Sequence, residues 1–266
     1  MRLKDRIAIV VGAGQSPGEG IGNGRATAIT FAREGAKVLC VDRNLASAQE
    51  TADIVRQSQG TAVAIQADVT KEADIEAMVA DAHQRWGRID ILHNNVGVSI
   101  SGGDAELLDI TEEAFDRCVA INLKSCILAC KHVIPIMRAQ KSGAIINISS
   151  MAVITTYPYV AYKATKSAMV SFTEQLAYQN AQYGIRANVI LPGLMNTPMA
   201  VDTRAREFNK TRAQVEAERD SKVPLRRKMG TGWDVANAAL FLVSDEANFI
   251  TGVTLPVDGG ASVQRG

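Results

Sequence analysis

The 266-residue chain carries 29 basic and 28 acidic side chains, a formal charge of +1, and 47% hydrophobic residues. That length suits one large domain over 1–266, and the near-neutral balance provides no global field toward nucleic acid or an anionic membrane. Cys40, Cys118, Cys126 and Cys130 lie in apolar segments without a CxxC pair. This points to buried free thiols in a reducing compartment rather than disulfides or a metal site. Because no apolar stretch is read as reaching the roughly 18 residues of a bilayer span, the expectation is a cytoplasmic protein with no membrane partner.

In chain order, runs rich in Ile and Val recur at 7–11, 37–42, 62–68, 89–95, 144–149, 186–191 and 253–258. Strands buried on both faces have this composition. Helix-forming stretches alternate with them, including 24–36, 71–87 behind Thr70 as a cap, and 111–137, with glycines closing several. The β-α-β alternation predicts an α/β fold: a doubly wound parallel sheet, helices on both faces, and ligands beyond the carboxyl ends of the strands. One composition shift interrupts the pattern, the charged and helix-prone segment 197–228. It reads either as a solvated excursion or as a lid over a substrate.

The first strand runs into "GAGQSPGEGIGNGRATA" at 12–28. Glycines between a strand and a helix let the backbone approach a pyrophosphate, while the helix N-terminus offers unpaired N–H groups. Asp42 ends the second strand, where a carboxylate can accept both hydroxyls of an adenosine ribose and repel a 2′-phosphate, so NAD is favoured over NADP. Arg43, its neighbour, is assigned to the adenine face or to solvent. Asp68 and Val69, in "ADVT", are positioned for the adenine amino group and ring, or else for a simple helix cap. Further on, Tyr162 and Lys166 are spaced four apart, on one face of a helix that follows a strand ending in serines. A phenol beside an ammonium is a candidate acid/base, because the nearby cation favours the phenolate.

Together with "HNNVG" (93–97), "NISS" (147–150), "LPGLMNTPM" (191–199) and "ITGVTLPVDGG" (250–260), these motifs make the whole chain resemble a short-chain dehydrogenase/reductase. The resemblance implies a seven-stranded Rossmann sheet, nicotinamide-dependent interconversion of an alcohol and a ketone, and a homo-oligomer, commonly a tetramer. By resemblance, Tyr162 is the acid/base, and Lys166 holds the nicotinamide ribose and lowers the Tyr162 pKa. Asn122 positions a water leading to that lysine, and a serine steadies the alkoxide. Two serines qualify: Ser149 by the family's usual spacing from the tyrosine, Ser150 by the match of "NISSMA" and its distance to Pro158, and Ser150 is the choice taken. Asn94 is expected beside the ribose in a mainly structural role, and Pro192, Gly193 and Thr197 around the nicotinamide. In the glycine turn, Gly12 with Gly22-Asn23-Gly24 fits the family pattern, leaving about six residues, approximately 14–19, as an insertion expected to fold over the adenosine; Gly20-Ile21-Gly22 is the competing register.

The stretches 98–104, 151–159 and 194–199 are expected to line a largely apolar pocket for a hydrophobic small-molecule alcohol or ketone. Arg204, Arg206, Lys210 and Arg212 are either receivers of a substrate carboxylate or plain solvated charges. Two other readings stand beside the NAD-dependent dehydrogenase. One is a 3-oxoacyl-carrier-protein reductase using NADPH; the other is an idle protein that binds NAD as a sensor.

Overall fold

Strands made of β-branched residues with no polar face must be covered on both sides, and this requirement sets the architecture. The computed structural model describes Met1–Gln264. Its strands are β1 (Ile7–Val11), β2 (Lys37–Asp42), β3 (Thr61–Gln66), β4 (Ile91–Asn94), β5 (Gly143–Ile148), β6 (Ile185–Pro192) and β7 (Thr254–Val257). All pair in parallel, in the order β3-β2-β1-β4-β5-β6-β7. The order reverses between β1 and β4, so the crevice for a ligand opens beyond Val11 and Asn94.

On one face lie α1 (Asn23–Arg33), α2 (Leu45–Gln57) and, far along the chain, α9 (Gly232–Val243). Their Phe31, Val55 and Leu240 bury against Val10, Val38 and Ile146. The other face is covered by α3 (Glu72–Trp86), by α4 (Glu112–Val119) continuing through a π turn at Ala120–Lys124 into α5 (Ser125–Gln140), and by α6 (Val160–Asn180). Lys71, not Thr70, stands at the N-cap of α3, because the Thr70 N–H and hydroxyl both donate to Asp68 Oδ1 at 3.0 and 2.7 Å. Gly87 ends α3 in the left-handed conformation, φ 74°.

One helix departs from the expectation that no apolar stretch reaches the length of a bilayer span. Glu112–Gln140 contains an 18-residue window of mean hydropathy 1.4, long and apolar enough by itself to cross a bilayer. In the fold its Cys126, Ala129, Cys130, Val133 and Met137 pack with Ile9, Leu92 and Ile145 of the sheet. All four cysteines are free and buried. Segment 197–228 holds α7 (Pro198–Glu207) and α8 (Arg212–Asp220), which share a small core of Val201, Val215, Val223 and Met229. Its two ends are tied together where Asn196 N–H donates to Gly230 O at 2.7 Å and Gly230 N–H donates to Leu194 O at 3.1 Å.

The tightest backbone approach in the fold is at Gly24, where a Cβ would stand 1.9 Å from the Gly12 carbonyl oxygen. Gly24→Ala is expected to cost about 3 kcal/mol or more in denaturant unfolding, since that carbonyl has no room to yield. Gly87→Ala, with nothing within 4 Å of the new Cβ, meets only its left-handed φ and should cost about 1 kcal/mol. Equal costs for the two variants would contradict the packing constraint at Gly24.

Candidate active site

The glycine turn follows β1. Gly12 N–H and Ala13 N–H both donate to Val41 O, at 2.8 and 2.9 Å, and α1 begins at Asn23 with Gly22 as its N-cap. Gly12 and Gly24 touch, Asn95 Nδ2 donates to Gly12 O at 3.1 Å, and the N-cap Gly22 N–H donates to Gln15 Oε1 at 3.1 Å. Asn23 Oδ1 is buried without a hydrogen-bond partner among the described residues. Turned by half a rotation, the same amide offers its N–H groups to an anion. A glycine-lined helix N-terminus with an uncommitted amide fits a pyrophosphate.

At the end of β2, Asp42 receives the Gly14 N–H on Oδ2 at 3.1 Å and the Asn44 N–H on Oδ1 at 3.0 Å. Each carboxylate oxygen keeps a lone pair for a further donor. Arg43 is exposed, and its charge helps to hold Asp68 below the usual carboxylate range, behind the larger effect of the Thr70 hydrogen bonds. Asp68 and Val69 lie past β3 rather than in it. Asp68 caps the turn through Thr70, and Val69 is buried with Ile75 and Met78. The Asp68 carboxylate thus closes a turn ahead of α3 without capping the helix, whose N-cap is Lys71.

The insertion reaches two neighbours. Its first part is held against α2, where Gln15 N–H donates to Ser47 Oγ at 2.9 Å, and Arg25 binds Ser47 Oγ, Thr51 Oγ1 and Glu50. Its far part leans on the α7–α8 segment, with Gly18 against Asp202 and Glu19 Oε2 3.6 Å from Arg212 Nε. In the loop expected over the adenosine, residues 14–15 thus lie against Asp42 and Ser47, and residues 18–19 lie against the helical segment.

At the carboxyl end of β5 the two serines separate. Ser149 is buried, and its hydroxyl donates to Lys166 O at 2.8 Å. Ser150 is the serine whose hydroxyl acts on the Tyr162 phenol, while its Oγ also accepts the Ala152 N–H at 3.1 Å. Burial pushes the Tyr162 phenol above its usual pKa; the Ser150 hydroxyl and the Arg204 charge oppose that, and Tyr157 and Asp104 add to it. Lys166 is 1% exposed, with Nζ donating to Ile148 O at 2.8 Å and reaching Val96 O at 3.4 Å, and it stands 5.9 Å from the Tyr162 ring centre. Burial draws its ammonium down to about 8.

Asn122 sits in the π turn, fully buried. Its amide clamps Val98 from both sides, with Oδ1 accepting the Val98 N–H at 2.7 Å and Nδ2 donating to Val98 O at 2.8 Å, and Nδ2 also reaches Thr165 Oγ1 at 3.2 Å. A π turn re-aims a single side chain within an otherwise regular helix, which is how the Asn122 amide comes to face the loop. Asn94 points elsewhere: Nδ2 donates to Asn147 Oδ1 at 2.9 Å and lies near the Cys126 and Cys130 sulfurs. Asn94 therefore fills a polar pocket of the core, and Asn95 is the asparagine that meets the glycine turn.

Sequence reasoning missed Asp104, which it placed only among pocket-lining residues. Helix α6 has no cap from its own chain start, and Asp104 supplies one across the fold. Its carboxylate accepts the Ala161 N–H at 2.9 Å, the Tyr162 N–H at 3.0 Å and the Ser99 hydroxyl at 3.1 Å. A carboxylate at a helix N-terminus satisfies orphan donors and complements the dipole; here it fixes the turn that carries Tyr162. The only sequence signal was an acid ending the glycine pair of "SGGD".

On the far wall, Pro192 closes β6, Gly193 N–H donates to Val257 O at 2.9 Å, and the Thr197 hydroxyl accepts the Ala200 N–H at 3.3 Å as the N-cap of α7. Its O–H remains available as a donor.

Comparison with known proteins agrees with this geometry. The family model described as enoyl-(acyl carrier protein) reductase matches residues 17–262. The chain is 36% identical over 263 residues to 2,5-dichloro-2,5-cyclohexadiene-1,4-diol dehydrogenase of Sphingobium indicum, covering 98% of each chain. Among solved structures, a short-chain dehydrogenase/reductase from Burkholderia xenovorans superimposes with a TM-score of 0.90 at 41% identity, over 100% of this chain and 99% of that one. Levodione reductase superimposes at 0.92 with 32% identity, over 99% and 100%. With its seven-stranded parallel sheet and its motifs in family order, this chain belongs to the short-chain dehydrogenase/reductase family, oxidoreductases that act on alcohol- and ketone-type substrates with a nicotinamide cofactor.

Proposed function

We propose that the protein is an NAD-dependent dehydrogenase that interconverts a secondary alcohol and its ketone, with Tyr162 as the acid/base. The observation that supports this reading is the half-buried Tyr162 ring 5.9 Å from the buried Lys166 ammonium at the carboxyl end of β5, with the Ser150 hydroxyl lowering the Tyr162 pKa. A bound nicotinamide cofactor would supply the acceptor or donor for hydride at the carbinol carbon.

The chain's own groups handle the proton and the charge. Tyr162 takes the hydroxyl proton in oxidation and returns it in reduction, and Ser150 donates to the developing alkoxide, a preorganised contact worth a few kcal/mol. Lys166 favours the phenolate by its charge and offers an N–H to the nicotinamide ribose. Asn122 and the carbonyls around Lys166 mark the route by which a water would relay the proton to solvent. Gly12, Gly22, Asn23 and Gly24 take the pyrophosphate, Asp42 the adenosine ribose and Arg43 the adenine face. Asp68 and Val69 border the adenine. Pro192, Gly193 and Thr197 enclose the nicotinamide, and α7–α8 closes over the substrate.

Tyr162→Phe keeps the ring and removes the proton carrier. Turnover of an alcohol panel with NAD should fall at least about 100-fold, with the Michaelis constant for NAD little changed. Full turnover would sink the mechanism.

Cofactor choice follows from charge. A 2′-phosphate about 4 Å from Asp42 meets a repulsion of up to about 4 kcal/mol at an effective dielectric near 20. Asp42→Ala should therefore lower the NAD-to-NADP ratio of kcat/KM by at least about tenfold; an unchanged ratio would remove Asp42 from the cofactor site.

Lys166 gives a test of stability. Its folded pKa is near 8 against an ordinary 10.5, so the unfolded chain binds more protons between those values. The cost of burying the ammonium is complete below pH 8 and fades as pH rises toward 10.5. It amounts to about 3 kcal/mol. Lys166→Met should lose turnover while gaining stability relative to the parent at pH 7, and that gain should shrink through pH 8–10.5 in denaturant titrations. A difference independent of pH would contradict the buried-ammonium assignment.

A further inference from the structure

The loop after β4 and the segment after β5 meet at the start of α6 through hydroxyl groups that the proposed proton transfer does not use. Tyr157 belongs to the second of these, half-buried, with its ring centre 5.5 Å from that of Tyr162 and the two rings tilted by 41°. Tyr159 packs edge-on against the Tyr157 ring at 5.6 Å. The Tyr157 hydroxyl stands 2.9 Å from Ser99 Oγ, and Ser99 Oγ stands 3.1 Å from Asp104 Oδ2. Asp104 is also the carboxylate that accepts the Ala161 and Tyr162 N–H groups, so one hydrogen-bonded unit carries both phenols.

The direction of these bonds follows from the number of protons. A carboxylate accepts and cannot donate, so the contact between Ser99 and Asp104 uses the single Ser99 hydroxyl proton. The opposite arrangement would set lone pairs of Ser99 Oγ and Asp104 Oδ2 against each other at 3.1 Å. Ser99 is buried, and the Tyr157 O–H is therefore the group that donates to it. The Ser99 backbone closes the same ring, since its carbonyl accepts the Asp104 N–H at 3.2 Å and keeps the two side chains at this spacing. Burial holds the Tyr157 phenol above its usual pKa, against the Ser99 bond and the Arg204 charge, so the donor proton stays in place at neutral pH.

Tyr157 has then spent its one proton. Its oxygen retains lone pairs, so it can receive a hydrogen bond from a ligand and cannot give one. With the reacting carbinol against the Tyr162 hydroxyl, a ring 5.5 Å away borders the same molecule. An ether or carbonyl oxygen brought to Tyr157 would set lone pair against lone pair, whereas a hydroxyl satisfies it.

We propose that Tyr157, its proton held by Ser99 and Asp104, is a specificity-determining acceptor, and that the substrate is a diol whose second hydroxyl donates to the Tyr157 oxygen. The proposal rests on the reading of Tyr162 as the acid/base, which places the reacting carbon beside that phenol. The first carbinol gives its hydroxyl proton to Tyr162 and its hydride to the nicotinamide cofactor, forming a hydroxy ketone, and the second hydroxyl is unchanged. This narrows the hydrophobic alcohol expected from the sequence to one with a second hydroxyl on an apolar body.

The experiment compares secondary alcohols bearing a second hydroxyl two to four bonds from the carbinol carbon with their methyl ethers at that second oxygen and with the deoxy alcohols. In the parent, kcat/KM for the diol should exceed that for the ether and for the deoxy alcohol by at least about tenfold, since neither of these can donate to Tyr157. Ser99→Ala frees the Tyr157 proton, so the ether should gain at least about fivefold, the worth of one new hydrogen bond. That gain should vanish in the double variant Ser99→Ala/Tyr157→Phe, which keeps the added room and lacks the phenol proton. Tyr157→Phe alone should bring the three substrates to within about threefold of one another, by loss of the diol. A purely structural role would lower all three together and would not raise the ether.

Binding is read separately, as the rise in melting temperature with millimolar diol or ether in the presence of NAD. Diol and ether used equally by the parent, a diol preference that survives in Tyr157→Phe, or an ether gain that is absent in Ser99→Ala or persists in the double variant overturns the acceptor role. So does a parent that neither turns over nor is stabilised by any diol. If Ser99→Ala does not fold, the loss or survival of the preference in Tyr157→Phe decides. Diol-specific stabilisation lost in Tyr157→Phe, with no turnover of any alcohol, supports the acceptor role and overturns the acid/base reading instead.

Discussion

The buried Lys166 ammonium is the interaction on which the site depends. Its Nζ is held by the carbonyls of Ile148 at the end of β5 and Val96 after β4, while its own carbonyl receives the Ser149 hydroxyl. A cation in that position costs stability, and the cost is met only because carbonyl dipoles converge on it. Helix α6 is thereby pinned to the two central strand ends, and Tyr162, one turn earlier, is brought to Ser150. The room around the ammonium is equally restricted, since a Cβ on Gly97 would lie 3.1 Å from Nζ.

Two more constraints complete the arrangement from opposite ends of the chain. Asp104 caps α6 from a loop far away in sequence, which fixes the rotation of the first helical turn and hence the direction of the Tyr162 ring. Its charge also works against ionisation of Tyr162. The site thus gains orientation at the expense of phenol acidity, while the Ser150 hydroxyl and the Arg204 charge act the other way. Asn122 then ties the loop bearing Val98 to the π turn, so that the loops after β4 and β5 and the helix start are one hydrogen-bonded unit.

The cofactor turn and the substrate wall are also connected. Arg212 collects Asp202, Glu216 and Glu19, joining α7, α8 and the inserted part of the glycine turn. A pairing of this kind, half out of water, is worth little as stability. Its consequence is geometric: the segment over the substrate rests on the loop that begins at the pyrophosphate turn.

What the sequence determined by itself was whatever local rules dictate. The alternation of apolar runs and helical stretches determined the parallel sheet, because strands covered on both faces admit no other composition. The spacing of Tyr162 and Lys166 placed both on one face of a helix, and Gly12, Gly22 and Gly24 recorded a close backbone approach. The tertiary structure alone decided questions that depend on residues distant in the chain. Ser149 and Ser150 are adjacent and chemically equal, and only packing against α6 gives one to the Lys166 carbonyl and turns the other to Tyr162. Asn94 and Asn95 are likewise indistinguishable until α5 and the glycine turn are in place. Asp104 as the cap of α6, and Ser99 as the link from it to Tyr157, exist only in three dimensions, because hydrogen bonds and charges are satisfied or left open by neighbours in space.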